Sequence, residues 1–165
     1  MNDKNKYIVD RGLHWGSSIL MLIILMGTWG IFYDVNEPEK VRPDAIQLHF
    51  RLVISMLVLL IIRLIYSGIG QKSYSRLQYK SANHGRLVKL VHTIFYLTLF
   101  SLAASGMVML INSADSVELF GITLFDFAEP DRDLFNMAIS VHHFLIDAVW
   151  WLIVFHIAGA IYSDI

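Results

Sequence analysis

The chain contains no cysteine. That excludes disulfides, iron–sulfur clusters, thiolate zinc sites and the covalent attachment of a c-type haem. It is also poor in charge. Asp, Glu, Lys and Arg make up 16% of its 165 residues, and they cluster outside the apolar runs. Hydrophobic residues reach 56% and the mean hydropathy is +0.55, well above the apolar share of a water-soluble domain. The length predicts a single domain over residues 1–165. There is no internal repeat and no low-complexity tract. The net charge of −1 conceals a strong asymmetry along the chain.

Four apolar segments stand out. Gly12 to Tyr33 holds no Asp, Glu, Lys or Arg. A second runs from about Ile46 to Ser67, with a charge-free centre from Leu52 to Ile62. A third is free of those four residue types from Leu90 to Ala114, and a fourth, about Met137 to Tyr162, carries only Asp147. Each is long enough to cross a bilayer as a helix, which takes about 20 residues. The expected fold is all-α: an integral membrane four-helix up-and-down bundle, with helices over about 12–33, 46–67, 87–112 and 137–162. The first segment lacks a small-residue cleavage site and exceeds a typical signal h-region, so it reads as a retained span.

The connecting segments predict orientation. Lys72, Arg76, Lys80, Arg86 and Lys89 lie between helices 2 and 3, with Arg63 just before them and no acid among them. The N-terminal tail carries Lys4, Lys6 and Arg11. The positive-inside rule puts both in the cytoplasm, and both termini with them. The connection between helices 1 and 2 holds Asp34, Glu37, Glu39 and Asp44 against Lys40 and Arg42. That between helices 3 and 4 holds Asp115, Glu118, Asp126, Glu129, Asp131 and Asp133 against Arg132. Both are expected outside. Pro130 and the Pro-flanked stretch from Glu37 to Asp44 mark irregular loops.

This topology sorts the histidines by depth. His142 and His156 lie fourteen residues apart on one apolar segment, almost four helical turns, so their rings share a face about 21 Å apart along the axis. That is most of a hydrocarbon core of roughly 30 Å. His49 falls at the outer level with His142 or His143. His14 and His92 fall at the inner level with His156. Ionisable residues in spanning segments are costly and face a protein interior. Two imidazoles from facing helices at one depth would ligate a b-type haem, and two such sets are available. His84, in Asn83-His84-Gly85, is expected to be solvated in the cytoplasmic loop.

Further spacings agree. Arg63 follows His49 by fourteen residues and is a candidate for an inner haem propionate, offsetting the cost of a charge in lipid. The alternative is snorkelling. Arg51 beside His49 suits an outer propionate or the lipid headgroups. Gly106 follows His92 by fourteen residues, which puts it at the outer level, where it frees space for a macrocycle or for a close helix approach. Asp147 is a candidate proton relay, or a carboxyl hydrogen-bonded to a neighbouring helix or water. Trp29, Trp150 and Trp151 read as packing or interface anchors.

His14-Trp15, Leu48-His49, Ile62-Arg63-Leu64, Leu90-Val91-His92, Gly106-Met107-Val108-Met109, Phe120-Gly121-Ile122-Thr123 and the His142/His156 spacing together resemble bacterial cytochrome b561. The resemblance runs along nearly the whole chain. The helix-4 spacing is shared with cytochrome b subunits of formate dehydrogenases and nickel–iron hydrogenases. The resemblance implies two haem b groups in a multi-pass protein of the bacterial inner membrane, exchanging electrons with ubiquinone or another quinone. It implies His14 and His156 as ligands of the inner haem and His49 and His142 as ligands of the outer one. Depth alone does not choose between His14 and His92. One branch of the family resembles a superoxide oxidase that passes electrons to ubiquinone. The alternative is a haem b anchor subunit relaying electrons for a soluble dehydrogenase or hydrogenase-type partner. Membrane, quinone and a redox protein are the expected partners, not nucleic acid. Two features depart from the family. The connection between helices 3 and 4 is acidic, a field that repels superoxide, and Ala103 replaces the proline before the helix-3 glycine.

Overall fold

A computed structural model describes residues 3–30, 43–68, 82–113, 117–119, 122–125 and 131–164. They form α1 (Asp3–Gly30), α2 (Pro43–Gly68), α3 (Ala82–Ile111), β1 (Val117–Leu119), β2 (Ile122–Phe125) and α4 (Arg132–Asp164). Each helix contains a stretch long and apolar enough to cross a membrane: Asn5–Gly27, Ala45–Tyr66, Ala82–Ile111 and Arg132–Tyr162. The all-α, four-span reading therefore holds. One element was not foreseen. The connection between α3 and α4 carries a small antiparallel hairpin pairing Glu118 with Thr123 and Leu119 with Ile122, with an irregularity after Val117.

The charges at Asp34, Glu37, Glu39, Lys40, Arg42, Lys72, Arg76, Lys80, Asp115, Asp126 and Glu129, on which the orientation rests, lie outside the described residues. So do Pro130, Phe120-Gly121 and the side chain of Trp29.

The helices outrun their apolar stretches. α1 begins at Asp3, α3 at Ala82 and α4 at Arg132, whereas apolar runs predict starts near 12, 87 and 137. Hydropathy marks only the part of a helix that meets hydrocarbon. Lys, Arg and Leu are good helix formers in water as well, so the helix continues into the polar zone. α4 starts where it does because Asp131 caps it. The Asp131 Oδ1 accepts from the backbone N–H of Asp133 at 2.9 Å and of Leu134 at 3.1 Å, and its carbonyl accepts from Phe135 N–H at 3.0 Å. Two otherwise orphaned donors are thereby satisfied. At the far end of α3, Asn112 Nδ2 donates to the Val108 carbonyl at 2.8 Å and Ser113 Oγ to the Leu110 carbonyl at 2.9 Å.

The chain divides into two compact units, Met1–Arg76 and Leu77–Ile165. In the first, α1 and α2 run antiparallel, and the Tyr66 hydroxyl donates to the Lys6 carbonyl at 3.2 Å. Leu25, Met56 and Leu60 are buried. In the second, α3 and α4 run antiparallel, and the buried positions are small: Gly85, Thr98, Ser105, Ala138 and Val149. Small residues let helix backbones approach where lipid supplies no hydrophobic drive.

Large apolar side chains are broadly exposed. Met26, Leu97, Phe144, Trp151 and Phe155 are each more than 60% exposed. In water such surfaces would be an aggregation hazard; in lipid they are the solvent-facing side. Hydroxyls on these helices are satisfied locally, as lipid requires. Ser18 Oγ donates to the His14 carbonyl at 2.8 Å, Ser55 Oγ to Arg51 at 2.9 Å, Thr98 Oγ1 to Ile94 at 2.9 Å and Ser140 Oγ to Asn136 at 2.9 Å.

Candidate functional site

The second unit carries the most informative geometry. His156 of α4 meets two side chains of α3. The His92 ring stands edge to face on it, with centroids 5.1 Å apart and planes at 86°. Phe95 meets it similarly at 5.8 Å and 82°. His92 Nδ1 lies 2.7 Å from the Val88 carbonyl. A carbonyl only accepts, so Nδ1 carries the proton and Nε2 keeps its lone pair.

Toward the other end of the same hairpin, His142 of α4 faces Ser105 and Gly106 of α3. His142 Nδ1 is 2.9 Å from Ser105 Oγ. A side chain at Gly106 would place its Cβ 3.6 Å from the His142 Cε1 and 3.9 Å from its Nδ1. The two levels mirror each other. His92 opposes His156 and Gly106 opposes His142, and fourteen residues separate each pair along its helix. The spacing that placed Gly106 at the His142 level is thus realised as a contact. His143 is exposed, whereas His142 is half-buried against α3.

In the first unit, His14 is half-buried on α1, its ring edge-on to Trp15 with centroids 5.9 Å apart and planes at 62°. Its carbonyl accepts from Ser18 Oγ, and Ser17 Oγ lies between the Leu13 carbonyl at 2.8 Å and the His14 carbonyl at 3.0 Å. His49 and Arg63 are half-buried on α2, and Arg51 is exposed. The Tyr66–Lys6 hydrogen bond orders these residues along the hairpin. Arg63 is about 4.5 Å along the axis from the tied end, His14 about 12 Å and His49 about 25 Å. Each hairpin therefore presents histidine at two levels, as the sorting by depth predicts.

One expectation needs amendment. His84 is not a solvated loop residue. It sits in the first turn of α3, half-buried, its ring edge-on to Tyr162 of α4 with centroids 6.1 Å apart. The helix extends past the apolar run and carries His84 against the end of α4, beside the buried Gly85. Asp147 lies on an exposed face of α4, with no hydrogen bond or ion pair among the described residues. Trp151 is 64% exposed and lies against Phe155 with centroids 6.3 Å apart.

These residues fit a haem ligated by two imidazoles. No group of three or more His, Asp or Glu that could hold a metal ion occurs among the described residues, and an axially bis-imidazole iron takes only two protein ligands. His142 has its Nδ1 engaged on α3, so a metal would be held through Nε2. The glycine opposite keeps the near side of that ring uncrowded. His92 and His156 touch ring to ring. Their centroids are 5.1 Å apart. Reasoning from sequence missed Ser105 and the Asp131 cap. The Asp131-Arg132-Asp133 run was a legible cap signal; a serine inside an apolar run gave no cue. A family model described as prokaryotic cytochrome b561 matches residues 8–165.

Proposed function

The chain belongs to the prokaryotic cytochrome b561 family, and from that premise we propose that it carries electrons across a bacterial inner membrane through two haem b groups and exchanges them with quinone. Membership in the family and four membrane-capable helices make it a multi-pass membrane protein of haem-based electron transfer. The finer reading is that His14 and His156 ligate one haem and His49 and His142 the other. What supports it is the recurrence of histidine at two levels in each hairpin, with His142 held through Nδ1 on α3.

Haem iron supplies the one-electron redox change; the protein supplies ligation, spacing and tuning. Two levels about 21 Å apart on α4 divide a 30 Å core into steps. Haem held by two histidines would offer no open position to oxygen, and would suit electron transfer rather than oxygen binding. Arg63, half-buried on α2, is the proposed partner of an inner haem propionate, and Arg51, exposed beside His49, that of an outer propionate or the lipid headgroups. His92 stands against His156 with Nε2 as an acceptor, placed to take a hydrogen bond from a quinol hydroxyl. Superoxide is the proposed outer donor by likeness to one branch of the family, with a redox protein as the other source of electrons.

The test is a set of histidine-to-alanine variants read by haem-to-protein ratio and reduced-minus-oxidised spectra. His49→Ala and His142→Ala are expected to lose the same haem. His14→Ala and His156→Ala are expected to lose the other. His92→Ala is expected to keep both. Two haems retained in His14→Ala, with one lost in His92→Ala, would move the ligand role to His92.

A further inference from the structure

Ser105 is 8% exposed inside the α3–α4 hairpin. Its Oγ donates to the Leu102 carbonyl, 2.9 Å away on its own helix. A hydroxyl has one proton, and that bond uses it. The same oxygen is 2.9 Å from His142 Nδ1 on the facing helix. With the serine proton committed to Leu102, the oxygen serves His142 through a lone pair, so the hydrogen in that contact sits on Nδ1. Ser18, Ser55 and Ser140 turn their hydroxyls back onto their own helices, which satisfies a hydroxyl in lipid. Ser105 does this and reaches a ligand candidate as well.

We propose that Ser105 is a positioning residue for His142: its hydroxyl, anchored on the Leu102 carbonyl, accepts the Nδ1 proton, fixes the ring's tautomer and plane, and lowers the reduction potential of the haem that Nε2 ligates. The role rests on His142 being an axial ligand. A metal-bound histidine that donates its other N–H becomes a more basic ligand, and loss of such a partner typically costs about 10–100-fold in metal affinity. The more basic ligand favours ferric over ferrous iron. Ser105 is therefore expected to act on one haem and not on the other.

The experiment compares Ser105→Ala, Ser105→Thr, Ser101→Ala and His142→Ala in the purified, haem-loaded chain. Each haem is followed by a potentiometric titration. His142→Ala identifies the haem concerned by its loss. Ser105→Ala is expected to raise that haem's midpoint. A tenfold preferential loss of ferric affinity corresponds to about 59 mV. The second haem stays where it was. Ser105→Thr keeps a hydroxyl able to bond back within the helix and is expected to leave the potential unshifted. Ser101→Ala, an exposed hydroxyl on α3, controls for general change.

An unshifted potential in Ser105→Ala overturns the proposal, as does a shift confined to the other haem. If Ser105→Ala sheds the haem, Ser105→Thr decides. Retention at the native potential supports the role, and loss there assigns the position to packing alone. Two haems retained in His142→Ala would remove the ligand assignment, and this role with it.

Discussion

Gly106 offers a perturbation whose size follows from geometry. A Cβ built there lies 3.6 Å from His142 Cε1 and 3.9 Å from Nδ1, ordinary van der Waals contact. Gly106→Ala is therefore expected to fit without displacing the ring. It should also gain about 0.5–1 kcal/mol, because glycine is the costlier residue inside a helix. Gly106→Val differs. Its γ carbons extend about 1.5 Å beyond Cβ, and any rotamer directed at α4 would approach the ring to well below contact distance. Overpacking of this kind costs about 1–3 kcal/mol. Relief by moving the His142 ring would break its bond to Ser105, with a further loss of about tenfold in affinity for the haem it holds. The assay is haem content by difference spectrum, paired with a thermal melt in detergent. Gly106→Ala should retain two haems with an equal or higher melting temperature. Gly106→Val should lose or weaken the His142 haem and leave the other. Loss of haem already in Gly106→Ala would show that the macrocycle, not the imidazole, occupies the space, and would refute the contact argument. Full retention in Gly106→Val would refute the close approach of α3 to His142.

Asp131→Ala removes the cap on α4 and is expected to cost about 1 kcal/mol; a lower melting temperature with both haems kept would fit, and an unchanged melt would not. With superoxide as the donor proposed above, haem reduction is expected to accelerate with ionic strength. The acids of the α3–α4 connection repel an anion, and their field is screened over about 10 Å at 0.1 M salt. A stopped-flow rate independent of salt would argue that the acids lie away from the entry route.

Much of the fold was legible because lipid simplifies the code. A run such as Leu52 to Ile62 has one plausible structure in hydrocarbon, a helix, since only helices and closed barrels satisfy their backbones there. Helix ends were less legible. Arg86 read as a loop charge, yet it is helical in α3, because hydropathy reports the solvent around a helix and not the helix itself. The hairpin from Val117 to Phe125 went unseen because its two strands have only three and four residues, too short for a period-two pattern to stand out. The histidine levels were legible from spacing alone. Ser105 was not, since in sequence it is one more small residue in an apolar run, and only the approach of α4 gives its hydroxyl a second partner.

That contrast follows from how two antiparallel helices share a rise. Once His92 is set against His156, equal rise brings the residue fourteen further along α3 opposite the one fourteen earlier on α4. Gly106 then meets His142 without any separate instruction. The neighbour Ser105 is turned about 100° from Gly106, enough to leave the glycine under the ring and bring the hydroxyl to its Nδ1 edge. The serine–glycine pair thus does two tasks at one level. The glycine admits the ring, and the serine holds its proton. A methyl at 106 leaves the second task intact, whereas loss of the hydroxyl at 105 leaves the first intact. The two positions should therefore separate: haem occupancy responds to bulk beyond a methyl at 106, and haem potential to the hydroxyl at 105.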